Sequence, residues 1–189
     1  MLPLEKKLSG GKLFPQSNLR GGGGEGGVFL EEMSCRLYDK KKCKEQKEQN
    51  NYKTGRWNER TLNQGGKMEN LKTEMQKNEV FVLGVGEERW KGQGEIRSGY
   101  YTVYYSRGKR AERGVPIVVH KSVVRSVVKK IVCNDRIIAI KLKAEPVSIL
   151  IMQLYMPTSE YENDEVENFM TQLKKFLRKM KKVTQTASY

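Results

Sequence analysis

The sequence is poor in the residue types that build metal centres and disulfide frameworks. Its 189 residues include 3 cysteines and 1 histidine. Cys35, Cys43 and Cys133 form no C-x-x-C pair, and their number is odd. This pattern excludes a zinc-binding module of the usual spacing and a disulfide-rich secreted domain. We therefore expect a chain that works in a reducing compartment, the cytoplasm or the nucleus.

Long hydrophobic runs are absent as well. No segment approaches the roughly 20 apolar residues that a membrane-spanning helix needs. The first residues, M-L-P-L-E-K-K-L-S-G-G-K, carry charges where a signal peptide would have its apolar core. The sequence thus predicts a soluble chain with no membrane partner. Its hydrophobic content of 37% is low but sufficient for one ordinary domain.

Acidic residues are in the minority. The chain has 36 lysines and arginines against 22 aspartates and glutamates, which gives a formal net charge of +14 and a pI near 9.7. Clustered basic side chains neutralise phosphates and release counterions, so a polyanion is the expected partner and DNA is the first candidate. A basic composition also occurs in reading frames that have no function. Charge alone therefore leaves both interpretations open.

The apolar residues are distributed unevenly along the chain. Residues 1–51 contain the run G-G-G-G-E-G-G and a polar, charged tract after Asp39, and neither can form a core. We predict a disordered, basic, glycine-rich head at 1–51, a structured domain at 52–182 and an unstructured tail at 183–189. The K-K-K-C-K run at 40–44 is either a nuclear localisation patch or a solvated charge run.

Periodicity within 52–182 predicts an α/β domain with a mixed, mainly antiparallel sheet and two helices. Helices are expected at 63–77, with Met68, Leu71 and Met75 in one apolar stripe, and after the capping-box pattern of Ser159 and Glu162. Residues 91–99 read as a loop, 107–113 as a basic hairpin tip, and 136–143 with 147–155 as an antiparallel hairpin. The remaining predicted strands are 52–57, 80–86, 100–105 and 115–119. Pro116 in the last of them indicates an edge strand, a bulge or a damaged strand. His120 reads as a surface or structural residue.

The stretch V-F-V-L-G-V-G-E-E-R-W at 80–90 is the most informative one. It predicts a buried strand that delivers Glu87 and Glu88 to a sheet edge. Ligands collect beyond the carboxyl ends of strands, and carboxylate oxygens there can hold Mg²⁺. The alternative is a solvated turn that carries surface charge.

Three segments together resemble a known family: R-W-N-E-R-T-L at 56–62, E-E-R-W-K-G-Q-G at 87–94 and L-Y-M-P-T at 154–158. They are similar to the endonuclease domain of RTE-type non-LTR retrotransposons and to its host relatives, the craniofacial development protein group. Both belong to the endonuclease/exonuclease/phosphatase superfamily. The resemblance runs from about residue 52 to about 182. It implies the first half of a DNase I-like four-layered sandwich and a Mg²⁺-dependent hydrolysis of DNA phosphodiesters.

The resemblance also assigns roles to three residues. Asn58 and Glu87 match the family's metal-site asparagine and glutamate, and Tyr155 matches the tyrosine that hydrogen-bonds the scissile phosphate. We expect all three to converge at one sheet edge, because the strands that end before Asn58 and Glu87 should be neighbours. Glu59 and Glu88 depart from the family pattern, since each stands where an apolar residue is usual.

The same comparison predicts an inactive fragment. The family's Gly-Asp-Phe/Trp-Asn and Ser-Asp-His segments do not occur in these 189 residues. We expect the inner face of the sheet to lack an opposing sheet, which would favour self-association through that face. The alternative function is a non-enzymatic, basic nucleic-acid-binding protein that uses its head, the 107–113 tip and its C-terminal lysines. A product with no function stays a third reading.

Overall fold

The computed structural model describes residues 12–13, 28–37, 50–58, 66–86, 92–106, 114–145, 147–157 and 163–185. Side chains are described at 37, 51–57, 66–86, 92–106, 114–145, 147–157 and 163–180. The helices and strands found in these ranges are, in chain order, β1 (Lys12–Leu13), β2 (Val28–Leu37), β3 (Asn50–Asn58), α1 (Lys67–Lys77), β4 (Val80–Gly86), β5 (Gly94–Ser98), β6 (Tyr101–Ser106), β7 (Val115–His120), α2 (Lys121–Val124), β8 (Val127–Asn134), β9 (Ile137–Leu142), β10 (Ala144–Glu145), β11 (Ile149–Leu154) and α3 (Asn163–Gln185).

Eight strands form a mixed sheet, here called sheet I, in the order β1-β2-β3-β4-β7-β6-β5, with β10 paired to β2. Its only parallel pair among the described strands is β3 with β4, and α1 lies between them in the chain. A parallel pair needs such a crossover, because its two strands run in the same direction. The carboxyl ends of β3 and β4 therefore lie at the same edge of sheet I.

The remaining three strands form sheet II, in the antiparallel order β11-β9-β8. The predicted hairpin is confirmed, since β9 and β11 pair over six residues, from Ile137 with Leu154 to Leu142 with Ile149. Strand β8 pairs with the other side of β9 in an irregular register. Asp135 and Arg136 form the tight turn between β8 and β9, and the side-chain oxygen of Asn134 accepts from the Arg136 backbone N–H across it.

Sheets I and II pack face to face. Val82 and Ile117 of sheet I share one buried cluster with Ile138 and Ile140 of sheet II, and all four are at most 1% exposed. The prediction that the inner face of the sheet has no opposing sheet is therefore wrong. It failed because β9 and β11 were assigned to the same sheet as the other strands, whereas they turn back over it. Self-association was predicted from an uncovered inner face, which the described sheets do not have. It stays a prediction without that support.

Each sheet is covered on its outer side by one helix. Helix α1 buries Leu71 and Met75 against sheet I, and Met68 packs beside them, as the predicted stripe requires. Helix α3 buries Phe169 and Phe176 against sheet II. The described residues thus form four layers, helix, sheet, sheet and helix. The predicted α/β class with a mixed, mainly antiparallel sheet is confirmed, with a second sheet and the short helix α2 in addition.

An irregularity in β4 decides which of its residues face sheet II. The register between β3 and β4 shifts after Lys53, so that Phe81 and Val82 both lie on the inner side, whereas Leu83 and Val85 belong to the α1 side. One extra residue in a strand has this effect because side chains alternate between faces. Gly84 consequently faces sheet II.

Several local predictions need correction. The head was predicted to be disordered, yet 28–37 forms β2 and pairs with β3, because the apolar residues of V-F-L-E-E-M-S-C-R-L between the glycine run and the charged tract were overlooked. Residues 94–98, predicted as a loop, form β5 beside β6. Pro116 lies in a strand with neighbours on both sides, but the pairing of β7 with β4 ends at Ile117, so its position resembles an edge. Helix α3 continues to Gln185, so residues 183–185 of the predicted unstructured tail are helical. The 1–51, 52–182 and 183–189 division itself stays a prediction.

Other predictions fall on residues outside the described ranges, among them the basic tip at 107–113 and the capping-box residues Ser159 and Glu162. Within the described ranges, no helix combines the length and the hydrophobicity needed to cross a membrane.

Candidate functional site

The carboxyl ends of β3 and β4 bring two of the predicted site positions together. Asn58, the last residue of β3, is the register partner of Gly86, the last residue of β4. Glu87 follows Gly86 directly in the chain. The predicted adjacency of these two strand ends is therefore present in the backbone.

The side chains at this edge are not all described. Glu87 and Glu88 lie outside the described residues, and for Asn58 the structure describes the strand position only. The convergence of Asn58 and Glu87 on one ion stays a prediction. The backbone places Asn58 and Gly86 about one strand spacing, roughly 5 Å, apart.

Sheet II closes over this edge at Gly84. The side chain of Gln153 in β11 packs directly on Gly84, and a Cβ at that glycine would collide with the Oε1 of Gln153 and lie 2.8 Å from its Cδ. Gln153 is 5% exposed, and its Nε2 donates to the backbone oxygen of Leu154 at 3.3 Å. The missing side chain at position 84 thus lets β11 approach the last residues of β4.

Tyr155 lies two residues beyond Gln153, immediately after β11. Its half-buried ring packs against the inner cluster between the sheets. Two residues of extended chain span about 7 Å, so Tyr155 lies within that distance of Gln153 along the backbone. The structure therefore brings the end of β11 to the region where β4 ends, although the position of the Tyr155 side chain relative to Asn58 and Glu87 stays a prediction.

Arg136 fixes the position of Tyr155. The backbone N–H of Tyr155 donates to the Arg136 carbonyl oxygen at 2.9 Å, and the guanidinium lies 5.7 Å from the centre of the tyrosine ring. Arg136 is 5% exposed, and its Nη2 donates to Glu165 of α3 at 2.6 Å. Asn134 accepts from the Arg136 backbone N–H at 2.9 Å. The turn before β9, the end of β11 and the start of α3 are thereby held together.

Sequence reasoning missed Gln153 and Arg136. The signal for Gln153 is a single amide in the apolar strand I-L-I-M-Q-L opposite a strand that contains glycine. Arg136 stands at the start of the apolar run I-I-A-I-K-L. A charge next to a buried strand must find a partner, and Glu165 supplies it.

His120 has a structural role in this fold, as the sequence reading proposed. Its Nδ1 caps α2 by accepting from the backbone N–H of Ser122 at 3.4 Å. The same nitrogen lies 2.8 Å from the Ser122 hydroxyl. The ring makes edge contacts with Phe81 and Tyr101, at centroid distances of 5.8 and 5.3 Å. Burial, and then the positive charge of Lys121, lower the pKa of His120.

The donor set can be compared with the needs of a metal. Among the described residues no group of three or more His, Cys, Asp or Glu side chains could hold an ion. Asn58 and Glu87 would offer one amide oxygen and one carboxylate. Mg²⁺ is often bound through one or two carboxylates while it keeps several waters. The chemistry of this pair therefore fits a weakly held Mg²⁺ ion.

Comparison with known proteins gives two similar sequences. The chain is 33% identical over 136 residues to craniofacial development protein 2 of Bos taurus, which covers 71% of this chain and 22% of that protein. It is 32% identical over 136 residues to craniofacial development protein 2 of Tragulus javanicus, which covers 71% and 23%. The chain thus spans less than a quarter of the curated relatives it matches. No protein-family model matches the sequence.

Proposed function

We propose that the four layers are those of the endonuclease/exonuclease/phosphatase fold, and that the chain derives from the endonuclease of an RTE-type retrotransposon. One observation carries the proposal: β3 and β4 end side by side, at Asn58 and immediately before Glu87, under the end of β11. An amide and a carboxylate at adjacent strand ends are a donor pair for a hard cation. The similarity to craniofacial development protein 2 supports the same origin.

Four residues of the candidate site have a defined task under the proposal. Asn58 and Glu87 would hold Mg²⁺, and the amide adds no charge that repels the carboxylate. Tyr155 would donate its hydroxyl to an oxygen of the scissile phosphate, and Arg136 is the residue that positions it. When bound, Mg²⁺ offsets charge on the phosphate oxygens.

We propose further that these 189 residues do not cleave DNA by themselves. Hydrolysis needs a general base beside the attacking water, and its loss costs roughly 10²- to 10⁴-fold in rate. The segments that supply the base in the family do not occur in this sequence. Its one histidine caps α2 instead.

Nicking of supercoiled plasmid tests the catalytic part. The purified chain with Mg²⁺ should give no more relaxed plasmid than the Glu87→Ala variant does. Relaxation by the unmodified chain that disappears in Glu87→Ala would show an active nuclease and refute the inactivity.

A metal-binding measurement tests the site without requiring activity. Mn²⁺ is paramagnetic and should broaden the backbone amide signals of Asn58 and Gly86 in an NMR titration, and Glu87→Ala should abolish that effect. Uniform broadening elsewhere in the chain, with none at these residues, would show that the proposed metal site is wrong.

The charge of the chain favours a second candidate function, the binding of nucleic acid without catalysis, in the nucleus or the cytoplasm. With a formal net charge of +14, the chain should bind duplex DNA without sequence preference. Affinity should fall steeply as salt rises, since phosphate contacts release counterions. Absence of binding at about 50 mM salt, or an affinity independent of salt, would exclude it.

A further inference from the structure

One flank of α3 faces the strand β8. Two hydrogen bonds seven residues apart define it, Glu165 with Arg136 and Gln172 with Asn134, and Lys179 stands seven residues further along. Burial raises the pKa of the Cys133 thiol in β8, and the charge of Lys179 opposes that rise. Seven residues are close to two helical turns, so all three side chains lie on the same side of the helix. Lys175 lies between the last two positions on that flank.

Sheet II adds two lysines on the side that faces α3. Lys129 of β8 is the direct register partner of Lys141 of β9. The next pair on the same face is Ile131 with Ala139, and both pack in the α3 cluster. Lys129 and Lys141 therefore face the α3 layer. Like charges directly opposite each other in a sheet are unfavourable.

The charge at this place is not balanced within the described part of the chain. No ion pair between described residues involves Lys129, Lys141, Lys175 or Lys179. Lys141 stands in the central strand of its sheet and is only 9% exposed, which is unusual for a charged residue. Its stem is covered, and such side chains usually extend their charged end toward water.

Protection of a sheet edge accounts for part of this pattern only. Lysines on an edge strand discourage pairing with other chains, which explains Lys129 in β8. It does not explain Lys141, because β9 is a central strand. It does not explain the α3 lysines either.

We propose that nucleic acid binds to a basic face formed by the exposed Lys129, Lys175 and Lys179, across β8 and the adjoining flank of α3, with the charge of the mostly buried Lys141 beside it. This inference rests on the nucleic-acid-binding function proposed above and assigns it to a surface outside the β3–β4 edge. The cations are all lysines, which act on phosphate as point charges and lack the rigid planar fork of arginine. The partner is therefore the phosphate backbone of a duplex, contacted irrespective of sequence.

The test compares two pairs of substitutions in the same helix. Lys175→Gln with Lys179→Gln removes two charges from the basic face. Lys174→Gln with Arg178→Gln removes two charges from the exposed opposite side of α3, next to the first pair in sequence. Affinity for a 20-base-pair duplex is measured by fluorescence anisotropy between about 50 and 200 mM salt.

The first pair should lower the affinity on the order of tenfold and reduce the slope of log affinity against log salt by about 2, one for each phosphate that is no longer neutralised. The second pair should change the slope by less than about 1. Equal reductions in both variants would overturn the basic face while leaving nucleic-acid binding intact. No binding by the unmodified chain would instead contradict the underlying function.

Cys133 provides an independent readout on the same face, because it is exposed in β8 and directly precedes Asn134, which contacts Gln172 on the same flank of α3. In a variant with Cys35→Ser and Cys43→Ser, saturating duplex should slow alkylation of Cys133 severalfold. An alkylation rate unchanged by saturating duplex would place the DNA elsewhere and refute the proposal.

Discussion

Sheets I and II differ in the number of strands whose side chains are mostly buried. In sheet I, nearly all described side chains of the neighbouring strands β4, β7 and β6 are buried. In sheet II, all six residues of β9 are buried, whereas β8 and β11 on either side are mostly half-buried or exposed. The inner core is thus supported by several strands on one side and by a single central strand on the other. Damage to β9 should consequently have the largest effect.

Ile140→Ala tests that difference most strongly. Ile140 is 0% exposed and packs in the inner cluster. Its truncation should lower the free energy of unfolding by about 2–5 kcal/mol. The matched change in the edge strand, Val128→Ala at a residue that is 56% exposed, should cost less than about 0.5 kcal/mol. Urea denaturation measures both, and similar losses of stability would show that burial in sheet II is not concentrated in β9.

Gly84→Ala tests the contact between the sheets. The added Cβ would collide with Gln153, and overpacking of this kind costs about 1–3 kcal/mol. Gln153→Ala in the same chain removes the obstacle, so the double variant should be more stable than the sum of the two single effects predicts. Additive effects in this double-mutant cycle would mean that Gly84 and Gln153 do not oppose each other across the interface.

Lys141→Met should raise the stability of β9, the strand that Ile140→Ala weakens, because it replaces the one charged residue of β9. The variant loses the like-charge pair with Lys129 and keeps an apolar stem of similar length, so it should gain up to about 1 kcal/mol. Thermal unfolding measures the gain. A marked loss of stability would indicate that the ammonium group of Lys141 contributes to the fold.

His120 lies where the chain passes from sheet I through α2 to sheet II, and its effect should be the smallest. Its pKa is lowered in the folded chain, so the unfolded chain binds the additional proton first. The stability that His120 contributes is complete above about pH 6.5 and is lost as the pH falls through the lowered folded pKa. His120→Asn keeps a cap for α2 and should flatten the dependence of the unfolding midpoint on pH below about 6.5. If the unfolding midpoint of His120→Asn depended on pH as steeply as that of the unmodified chain, His120 would not be the group responsible.

Much of the fold could be predicted from local pattern. The strands β3, β4, β6 and β7, the β9–β11 hairpin and both long helices follow from apolar periodicity, which depends on neighbouring residues only. Strand β5 was missed because Ile96 is its one large apolar residue. The assignment of β9 and β11 to a second sheet could not be predicted, since alternation shows that a strand has a buried face and not which sheet covers it.

For the candidate site, too, the adjacent strands were predictable and the contacts between distant parts of the chain were not. The motifs around Asn58 and Glu87 led to the correct expectation that β3 and β4 are neighbours. Gln153 and the basic face were not predictable, because both depend on residues brought together from distant parts of the chain. Lys129 and Lys141 become a like-charge pair only through the register of β8 with β9.

The pairing of β2 has a consequence for how the chain folds during its synthesis. Its first residues pair with β3, while Leu37 pairs with Ala144 of β10, roughly 100 residues later in the sequence. At about 5–20 residues per second, β2 waits on the order of 5–20 s on the ribosome for that partner. During this interval its far end offers unpaired backbone groups to any other nascent chain. Slower translation between β3 and β10 should therefore increase aggregation of newly made protein, without any change in the stability of the finished fold.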